Sequence, residues 1–387
     1  MLICELILAL FAVVLLAIGP ASERVALVIV AVAGVDAALG ASISPAITAV
    51  APLFAFLTAA LTLAALAEQS GLSTSAASML ARWARGNTMR LYALVCVLSA
   101  VVTSIVSLDG AVVVMVPLVR VLSGRFRAPF APLFLGVVVV ANASSVAVPQ
   151  GNPTNLVVMG LAGLSPGSFA AHMVGPGVAA AVVSASAIAL WQRRQLSQAR
   201  LVSRPARTRL TREERRALGA IVVTGLVCWL APVLGVAPWW PFAATAGALL
   251  LLHRGRRPSV RVPWRIAAQL AGLVVVFQAF APRIPELSGR GLTALLLTAV
   301  AVGGAAAVAN NLPVSVAAQA FVGVGPAAYA VMIGLAVGAL AAPQGSVATL
   351  IARDLAGPDA PRLPVRRFAP LAGIGVVLAT IVLWTTL

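Results

Sequence analysis

The chain has 387 residues, of which 61% are apolar and only 10% are charged, and its mean hydropathy is +1.04. This composition excludes a water-soluble fold. The formal net charge of +17 is the balance of 27 basic residues, all of them arginine, and 10 acidic residues. Nearly all of the arginines lie in segments between apolar runs, so we interpret them as signals of membrane topology, and no nucleic-acid partner is expected.

Ten apolar runs are predicted to cross the membrane, since a crossing helix needs about 20 mostly apolar residues. They are the runs 2–20, 25–41, 45–67, 130–163, 169–191, 217–236, 239–252, 265–281, 326–352 and 368–386. No basic residue precedes the first run, so we expect it to be a span rather than a cleaved signal peptide. Residues 73–90 predict an amphipathic surface helix.

Two further apolar stretches, 91–122 and 291–323, are too long for one helix. The first is interrupted by Ser-Leu-Asp-Gly at 107–110 and the second by Asn-Asn-Leu-Pro at 310–313. Each stretch predicts a re-entrant hairpin that enters and leaves on one side of the membrane. The predicted fold is an all-α polytopic membrane protein with ten spans and two hairpins.

The arginines predict which way the chain faces. Several flank the first hairpin at both ends, whereas only Arg283 and Arg290 lie near the second. The positive-inside rule therefore puts the ends of the first hairpin in the cytoplasm and those of the second outside. The prediction is a multi-pass protein of the cell inner (plasma) membrane, with both termini outside and the Arg-rich loop 193–216 cytoplasmic. Only Arg283 and Arg290 depart from the rule.

A sequence repeat divides the chain into halves. The segment Val148–Leu156 recurs 194 residues later as Ala342–Leu350, and both copies contain Pro-Gln-Gly. Each half then has five spans and one hairpin, and this odd number of crossings inverts the second half relative to the first. We predict two inverted repeats, 1–192 and 217–387, joined by the linker 193–216. The spans 130–163 and 326–352 are predicted to be broken helices.

Asp109 is the acidic residue that falls deep in the predicted membrane region. An aspartate at the bilayer centre costs about 2.5–3.5 kcal/mol on insertion scales, so a retained one normally faces a cavity and has a function. Asp109 can also cap the second arm of its hairpin. We predict that it carries the coupling proton or cation.

The two hairpin tips and the two helix breaks are expected to meet in one substrate site, because irregular backbone at membrane depth occurs where it lines a cavity. The predicted substrate-binding residues all lie on these four segments. They are Ser107, Asp109, Asn142, Ser144, Ser145, Gly151, Asn152, Thr154, Asn155, Asn310, Asn311, Ser315, Gly345, Ser346 and Thr349.

These motifs resemble the ion transporter superfamily, which includes arsenite-efflux permeases, sodium/proton antiporters and sodium-coupled dicarboxylate or citrate carriers. The resemblance extends over nearly the whole chain from residue 45 onward. Both tips and the second break, Gly-Ser-x-Ala-Thr-Leu, are similar to the arsenite permeases. The first break, Gly-Asn-Pro-Thr-Asn, is closer to the anion carriers.

The expected function is secondary active transport by alternating access. Proton-coupled efflux of arsenite or antimonite is preferred, because an ionised Asp109 would repel a dianion but accept hydrogen bonds from neutral arsenious acid. The alternatives are a sodium-coupled carrier of dicarboxylate or citrate anions and a sodium/proton antiporter. Neither catalysis nor a passive channel is expected. Ser168 and His172 are one helical turn apart, but no orienting acid accompanies them.

The three cysteines are widely spaced, so no metal site is expected. No cofactor is predicted other than bound Na⁺ or H⁺. The expected partners are the lipid bilayer and a small inorganic or organic ion as substrate. A homodimer is suggested by the dicarboxylate carriers of the superfamily, and a cytoplasmic ATPase subunit is a further candidate partner.

Overall fold

The structure is a computed structural model. It describes residues 23–38, 42–199, 209–230, 239–252, 289–318, 321–323 and 325–387, together with a few isolated positions. The predicted span 2–20 lies outside these residues except for one position, and so does most of the span 265–281. The described part is helical and contains no β-strand.

Helices follow one another closely along the first half and into the linker. They are α1 (Glu23–Ala38), α2 (Ser44–Gln69), α3 (Leu72–Ala84), α4 (Thr88–Val106), α5 (Leu108–Phe126), α6 (Phe130–Ser144), α7 (Pro153–Ala162), α8 (Pro166–Trp191) and α9 (Arg193–Gln198). Those that follow are α10 (Arg212–Leu230), α11 (Trp239–Leu252), α12 (Leu292–Ala309), α13 (Asn311–Ala317), α14 (Pro326–Ala336), α15 (Val347–Ala356) and α16 (Val365–Trp384).

Six stretches of helix in the described residues are long and apolar enough to cross a membrane. They are Val50–Gln69, Thr88–Val106, Phe130–Ala147, Pro166–Trp191, Leu292–Ala309 and Val365–Trp384. This confirms the predicted all-α polytopic membrane fold. Four of the six lie in predicted spans, whereas Thr88–Val106 and Leu292–Ala309 are arms of the two predicted hairpins, whose return to one side stays a prediction. The predicted broken spans are both interrupted, because α6 is separated from α7, and α14 from α15, by 3-10 turns and extended residues.

Four short segments position the candidate site. The first tip is 107–110, where α4 ends and α5 begins, and the second tip is 310–313, where α12 ends and α13 begins. The first break is 145–152 and the second break is 338–346.

Together, the two helices of the first predicted hairpin extend from Thr88 to Phe126, which is beyond both ends of the apolar stretch 91–122. α4 and α5 each have 19 residues, about 28 Å. The difference arises at the charged ends, because α4 begins before Arg90 and α5 continues past Arg125, and both arginines are exposed. A polar cap accounts for the start of α4, where Asn87 Oδ1 accepts a hydrogen bond from the Arg90 N–H at 2.9 Å. At the other limit, Arg127 in the left-handed conformation ends α5.

The predicted surface helix 73–90 is present only in part, as α3, because Arg85 ends it in the left-handed conformation and residues from Thr88 onward belong to α4. One face of α3 is buried against α5, while Met79 and Trp83 are exposed. Its Ser75 hydroxyl donates a hydrogen bond of 2.6 Å to Glu214, which also accepts from the Thr211 N–H and so caps α10. The end of the linker is thereby attached to the first half.

The helices of the two halves cross at the tips and breaks. Helix α13, which follows the second tip, contacts α7, which follows the first break. In the reciprocal arrangement, α5 follows the first tip and contacts α15, which follows the second break. Each half-helix therefore packs against a tip helix of the other half.

Candidate functional site

The first tip is a single-residue turn at Ser107. Its φ of 109° is rare for a residue with a side chain. The Ser107 hydroxyl accepts a hydrogen bond from the Gly110 N–H at 3.4 Å, and its carbonyl accepts one from the Ala111 N–H at 2.8 Å. Ser107 thus caps α5 and places Asp109 in the first turn of that helix, where the helix dipole favours negative charge.

Asp109 is enclosed by the protein. It is 2% exposed, and none of the described arginines or histidines forms an ion pair with it. A buried carboxylate without a cationic partner is costly unless it takes up a proton or a cation. Its position is therefore suited to the predicted coupling role, which stays a prediction.

The first break is held together by asparagine side chains. Asn152 Oδ1 accepts a hydrogen bond from the Thr154 N–H at 3.1 Å and caps α7, while its Nδ2 donates to Ser145 Oγ at 3.2 Å. Asn155 Nδ2 donates to the carbonyls of Ser145 and Val148 at 2.8 and 3.0 Å. These side chains satisfy carbonyls that the interrupted helix leaves without partners.

The second tip is bonded directly to the second break. Asn310 has φ 82°, and its Oδ1 accepts a hydrogen bond from the Leu312 N–H at 3.2 Å. Its Nδ2 donates to the Gln344 carbonyl at 2.7 Å, and the Asn311 N–H donates to the Gly345 carbonyl at 2.8 Å. These two bonds fix the tip on the break.

The two breaks follow the same backbone path. Val148 has φ −137° and ψ 149°, and Ala342, 194 residues later, has φ −137° and ψ 150°. Asn152 has φ −141° and ψ 132°, and Ser346, again 194 residues later, has φ −131° and ψ 133°. The sequence repeat is therefore also a repeat of local structure.

A glycine is required at the same place in each break. A Cβ atom on Gly151 would lie 2.5 Å from the Ser145 carbonyl oxygen. A Cβ atom on Gly345 would lie even closer to the carbonyl oxygen of Ala339. Both contacts are too short for any other residue, so the Gly of Pro-Gln-Gly lets each break fold back on itself.

One hydrogen bond connects the two halves at the site. Asn142 Nδ2 lies 3.4 Å from Thr349 Oγ1 and also donates to the Val138 carbonyl at 2.8 Å. Asn142 lies near the end of α6, before the first break, and Thr349 in the first turn of α15, after the second. The two breaks therefore meet across the interface between the halves.

All fifteen predicted site residues are buried, and the exposure of their polar side chains does not exceed 5%. Several of their oxygen atoms, together with one from Thr103, have no hydrogen-bond partner among the described residues. They are Asn142 Oδ1, Ser144 Oγ, Thr154 Oγ1, Asn155 Oδ1, Asn311 Oδ1, Ser346 Oγ and Thr103 Oγ1. A buried polar atom without a partner costs about 1–3 kcal/mol, so these atoms are available to bind a ligand.

The predicted residues are not all in mutual contact. Hydrogen bonds join Ser145 to Asn152 and Asn155, and Asn142 to Thr349. The Ser315 hydroxyl donates within its own helix, to the Leu312 carbonyl at 2.7 Å. In the described part, no hydrogen bond joins Ser107 or Asp109 to another predicted site residue.

Three residues that contribute to the site were not predicted from the sequence, namely Gln150, Ser104 and Thr103. Gln150 Nε2 donates to the Ser104 carbonyl at 3.0 Å and ties the first break to α4. Thr103, one turn before the first tip, has a buried hydroxyl without a partner in the described residues. Gln150 was visible within Pro-Gln-Gly, whereas no pattern marks Thr103 or Ser104.

Ser168 and His172 do not form a nucleophile and base. His172 Nδ1 lies 2.7 Å from the Ser168 carbonyl oxygen, while the Ser168 hydroxyl pairs with the Tyr329 hydroxyl at 2.8 Å. The described residues also contain no group of three or more His, Cys, Asp or Glu that could hold a metal ion.

The sequence profile described as "Citrate transporter" (CitMHS) matches residues 6–356, which is most of the chain. No curated protein matches the chain. The family is part of the ion transporter superfamily, which confirms the resemblance found from the motifs. The match supports a secondary transporter and gives no support to arsenite as substrate. The chain belongs to the citrate transporter family.

Proposed function

We propose that the protein is a secondary active carrier of citrate-type carboxylate anions that works by alternating access. The observation that carries this proposal is a set of buried hydroxyls, those of Ser144, Thr154 and Ser346, that lie at or beside the two structurally repeated breaks and have no partner among the described residues. Each hydroxyl can donate a hydrogen bond to a carboxylate, whereas the unpartnered amide oxygens of the asparagines only accept and suit the co-transported cation. The family match favours carboxylate anions over arsenite and antimonite as the ligand of this site. The predicted alternative thus takes precedence over arsenite efflux.

The site binds carboxylates through hydrogen bonds and helix ends. The hydroxyls of Thr154 and Ser346 donate hydrogen bonds, and both residues lie where α7 and α15 begin. The dipoles of both helices favour anions, and α15, which has no side-chain cap, adds free N–H groups in its first turn. In α7 the Thr154 N–H already donates to Asn152, so that helix contributes its dipole and the Thr154 hydroxyl. With no arginine among the predicted site residues, these groups supply the positive potential.

Asp109 couples transport to a cation. An ionised Asp109 and a carboxylate substrate would repel each other in a site of low dielectric constant. Uptake of a proton, or binding of Na⁺, removes this repulsion and favours the substrate. The loaded carrier therefore moves anion and cation in the same direction.

Alternating access uses the two halves as inverted repeats. The equal dihedral angles at an offset of 194 residues and the reciprocal packing of α13 on α7 and of α5 on α15 support this arrangement. In this mechanism the tips and breaks move together relative to the remaining helices and open the site to each side in turn.

The test is uptake of radiolabelled citrate by proteoliposomes under an imposed Na⁺ or proton gradient. The test variant is Ser346→Ala and its matched control is Ser184→Ala. Both hydroxyls are fully buried and have no partner among the described residues, but Ser184 lies within α8, outside the tips and breaks. We expect KM for citrate to rise about tenfold in Ser346→Ala and to stay unchanged in Ser184→Ala.

Competition distinguishes the substrate classes. Succinate is expected to inhibit citrate uptake, and arsenite is not. Transport of arsenite without uptake of citrate would overturn the carboxylate proposal. Sodium/proton exchange that needs no anion would overturn it as well and support the antiporter alternative.

A further inference from the structure

We propose that a cavity one half-helix away from the breaks is an anion-capture site that takes carboxylate solutes on their way to the carrier site. The cavity has a volume of about 420 Å³, and its lining includes Ser168, His172, Arg290, Tyr329, Trp384 and Leu387. The ligand class rests on the proposed function, whereas the site itself rests on its basic side chains, its hydroxyl pair and the two half-helices that it shares with the breaks.

The cavity has basic side chains in its wall. Among the described residues that line it, these are Arg290 and His172, no Asp or Glu side chain is present, and the terminal carboxylate of Leu387 is the anionic group. Arg290 is exposed and has five N–H donors in a planar group that matches a carboxylate. It is also one of two arginines on the predicted outer side, where basic residues are otherwise depleted. A role in binding anions explains why Arg290 departs from the positive-inside rule.

Two hydroxyls supply a further donor. Tyr329 is 3% exposed, and its hydroxyl is 2.8 Å from that of Ser168. One of these groups donates to the other, so a single O–H proton remains for a ligand.

The ring of His172 is held in place beside them. It stacks on the Tyr329 ring with 5.1 Å between centroids, and its Nδ1 donates to the Ser168 carbonyl at 2.7 Å. The bond leaves Nε2 as the ring nitrogen that can still bind a ligand.

The cavity and the breaks share two half-helices. Helix α7 begins at the first break and ends at Ala162, which lines the cavity, and its 10 residues span about 15 Å. Helix α14 begins at Pro326 in the cavity wall and leads toward the second break over 11 residues, about 17 Å. One end of each of these two helices thus lies in the cavity wall, and the other end lies at or near a break.

The size and the walls suit a small organic anion. Pockets for small molecules usually enclose about 300–1,000 Å³, with apolar walls and a few polar groups. In this cavity the apolar part includes Leu164, Trp384 and Leu387, and the polar groups are those of Arg290, His172 and the hydroxyl pair. Inorganic phosphate or the headgroup of an anionic lipid shares the charge but lacks the carbon skeleton that these walls contact.

The experiment uses the fluorescence of Trp384, one of seven tryptophans, in purified full-length protein in a neutral detergent. The Trp384→Phe variant identifies the signal of this residue. Citrate is the probe, with inorganic phosphate and a soluble anionic lipid headgroup as comparisons. The variants are Arg290→Gln, Arg290→Lys and the control Arg366→Gln, which removes an equal charge from the other end of the same helix as Trp384.

We expect citrate to change the Trp384 signal, with a midpoint about tenfold weaker in Arg290→Gln, partly restored in Arg290→Lys and unchanged in Arg366→Gln. In proteoliposomes, Arg290→Gln should raise KM for citrate and leave kcat near its original value, with a smaller effect at high salt. An equal midpoint in Arg290→Gln, or a stronger response to phosphate or the lipid headgroup than to citrate, would overturn the proposal.

Failure of the proposed function gives a different result. In that case the wild-type protein takes up no citrate into vesicles, while the Trp384 signal and its dependence on Arg290 remain. Conversely, the Ser346→Ala variant is expected to keep the Trp384 titration while its uptake KM rises. A Trp384 titration lost in Ser346→Ala would place citrate at the breaks alone and contradict a separate capture site.

Discussion

Asn142 Nδ2 lies 3.4 Å from Thr349 Oγ1, although the two residues are 207 positions apart in the chain. This contact joins the helix before the first break to the helix after the second. It is the hydrogen bond that connects the predicted site residues of the two halves, so it offers a direct way to test whether both breaks serve one site.

Thr349→Val removes the Oγ1 acceptor with little change in volume. We expect citrate uptake to fall about tenfold, because Asn142 loses a partner at the site. The measurement is initial uptake by proteoliposomes, with melting temperature as a check on folding. Thr380→Val is the control, since that hydroxyl is also buried but donates only to the Val376 carbonyl of its own helix. Equal loss in both variants would show a general effect on packing.

Asp109→Asn is expected to separate binding from coupling. The variant keeps the shape of the first tip but has no charge to neutralise. Citrate exchange across the membrane should persist, while accumulation driven by a Na⁺ or proton gradient should be lost. Asp359→Asn is the control, because its ion pair with Arg120 lies on the surface and contributes about 0–1 kcal/mol. Accumulation that still follows the gradient would exclude Asp109 from coupling.

Gly151→Ala is expected to destabilise the protein by about 1–3 kcal/mol, because the new methyl group would overlap the Ser145 carbonyl. Gly345→Ala should be at least as harmful. Gly160→Ala is the matched control within α7, where a Cβ atom meets nothing within 4 Å. Thermal unfolding in detergent measures the difference. Equal melting temperatures for the Gly151 and Gly160 variants would contradict the close approach at the break.

The predicted orientation is tested with single cysteines at exposed positions, after replacement of Cys4, Cys96 and Cys228. Ser197→Cys in the linker should react with a membrane-impermeant thiol reagent only from the cytoplasmic side. Thr293→Cys, at the start of α12, should react only from the outside. Labelling of both positions from one side would contradict the inverted arrangement of the halves.

Much of the architecture was predictable because membrane helices reveal themselves by composition and their interruptions by motif. Asp109, Asn310 and both Pro-Gln-Gly segments lie where the sequence indicates a tip or a break. The ends of α4 and α5 were predicted less accurately. Arg90 and Arg125 belong to these helices, but the apolar stretch 91–122, from which the ends were predicted, does not include them.

Long-range contacts could not be predicted in the same way. The bonds between Asn142 and Thr349 and between Gln150 and Ser104 depend on how distant helices pack, and one sequence carries no direct signal for that. The cavity around Arg290 is likewise assembled from separate helix ends. From the sequence alone, arsenite is the preferred substrate because an ionised Asp109 would repel a dianion. A proton or cation bound at Asp109 neutralises its charge, so this repulsion does not exclude a carboxylate substrate.

The most direct measurement is protection of Ser346→Cys by citrate in a background without other cysteines. A small permeant thiol reagent is applied with and without citrate, in the presence of a Na⁺ or proton gradient, and Ser197→Cys serves as the unprotected control. We expect citrate to slow modification at position 346 severalfold and to leave position 197 unaffected. Modification at position 346 that citrate does not alter, in protein that is folded and labelled, would contradict a carboxylate site at the breaks.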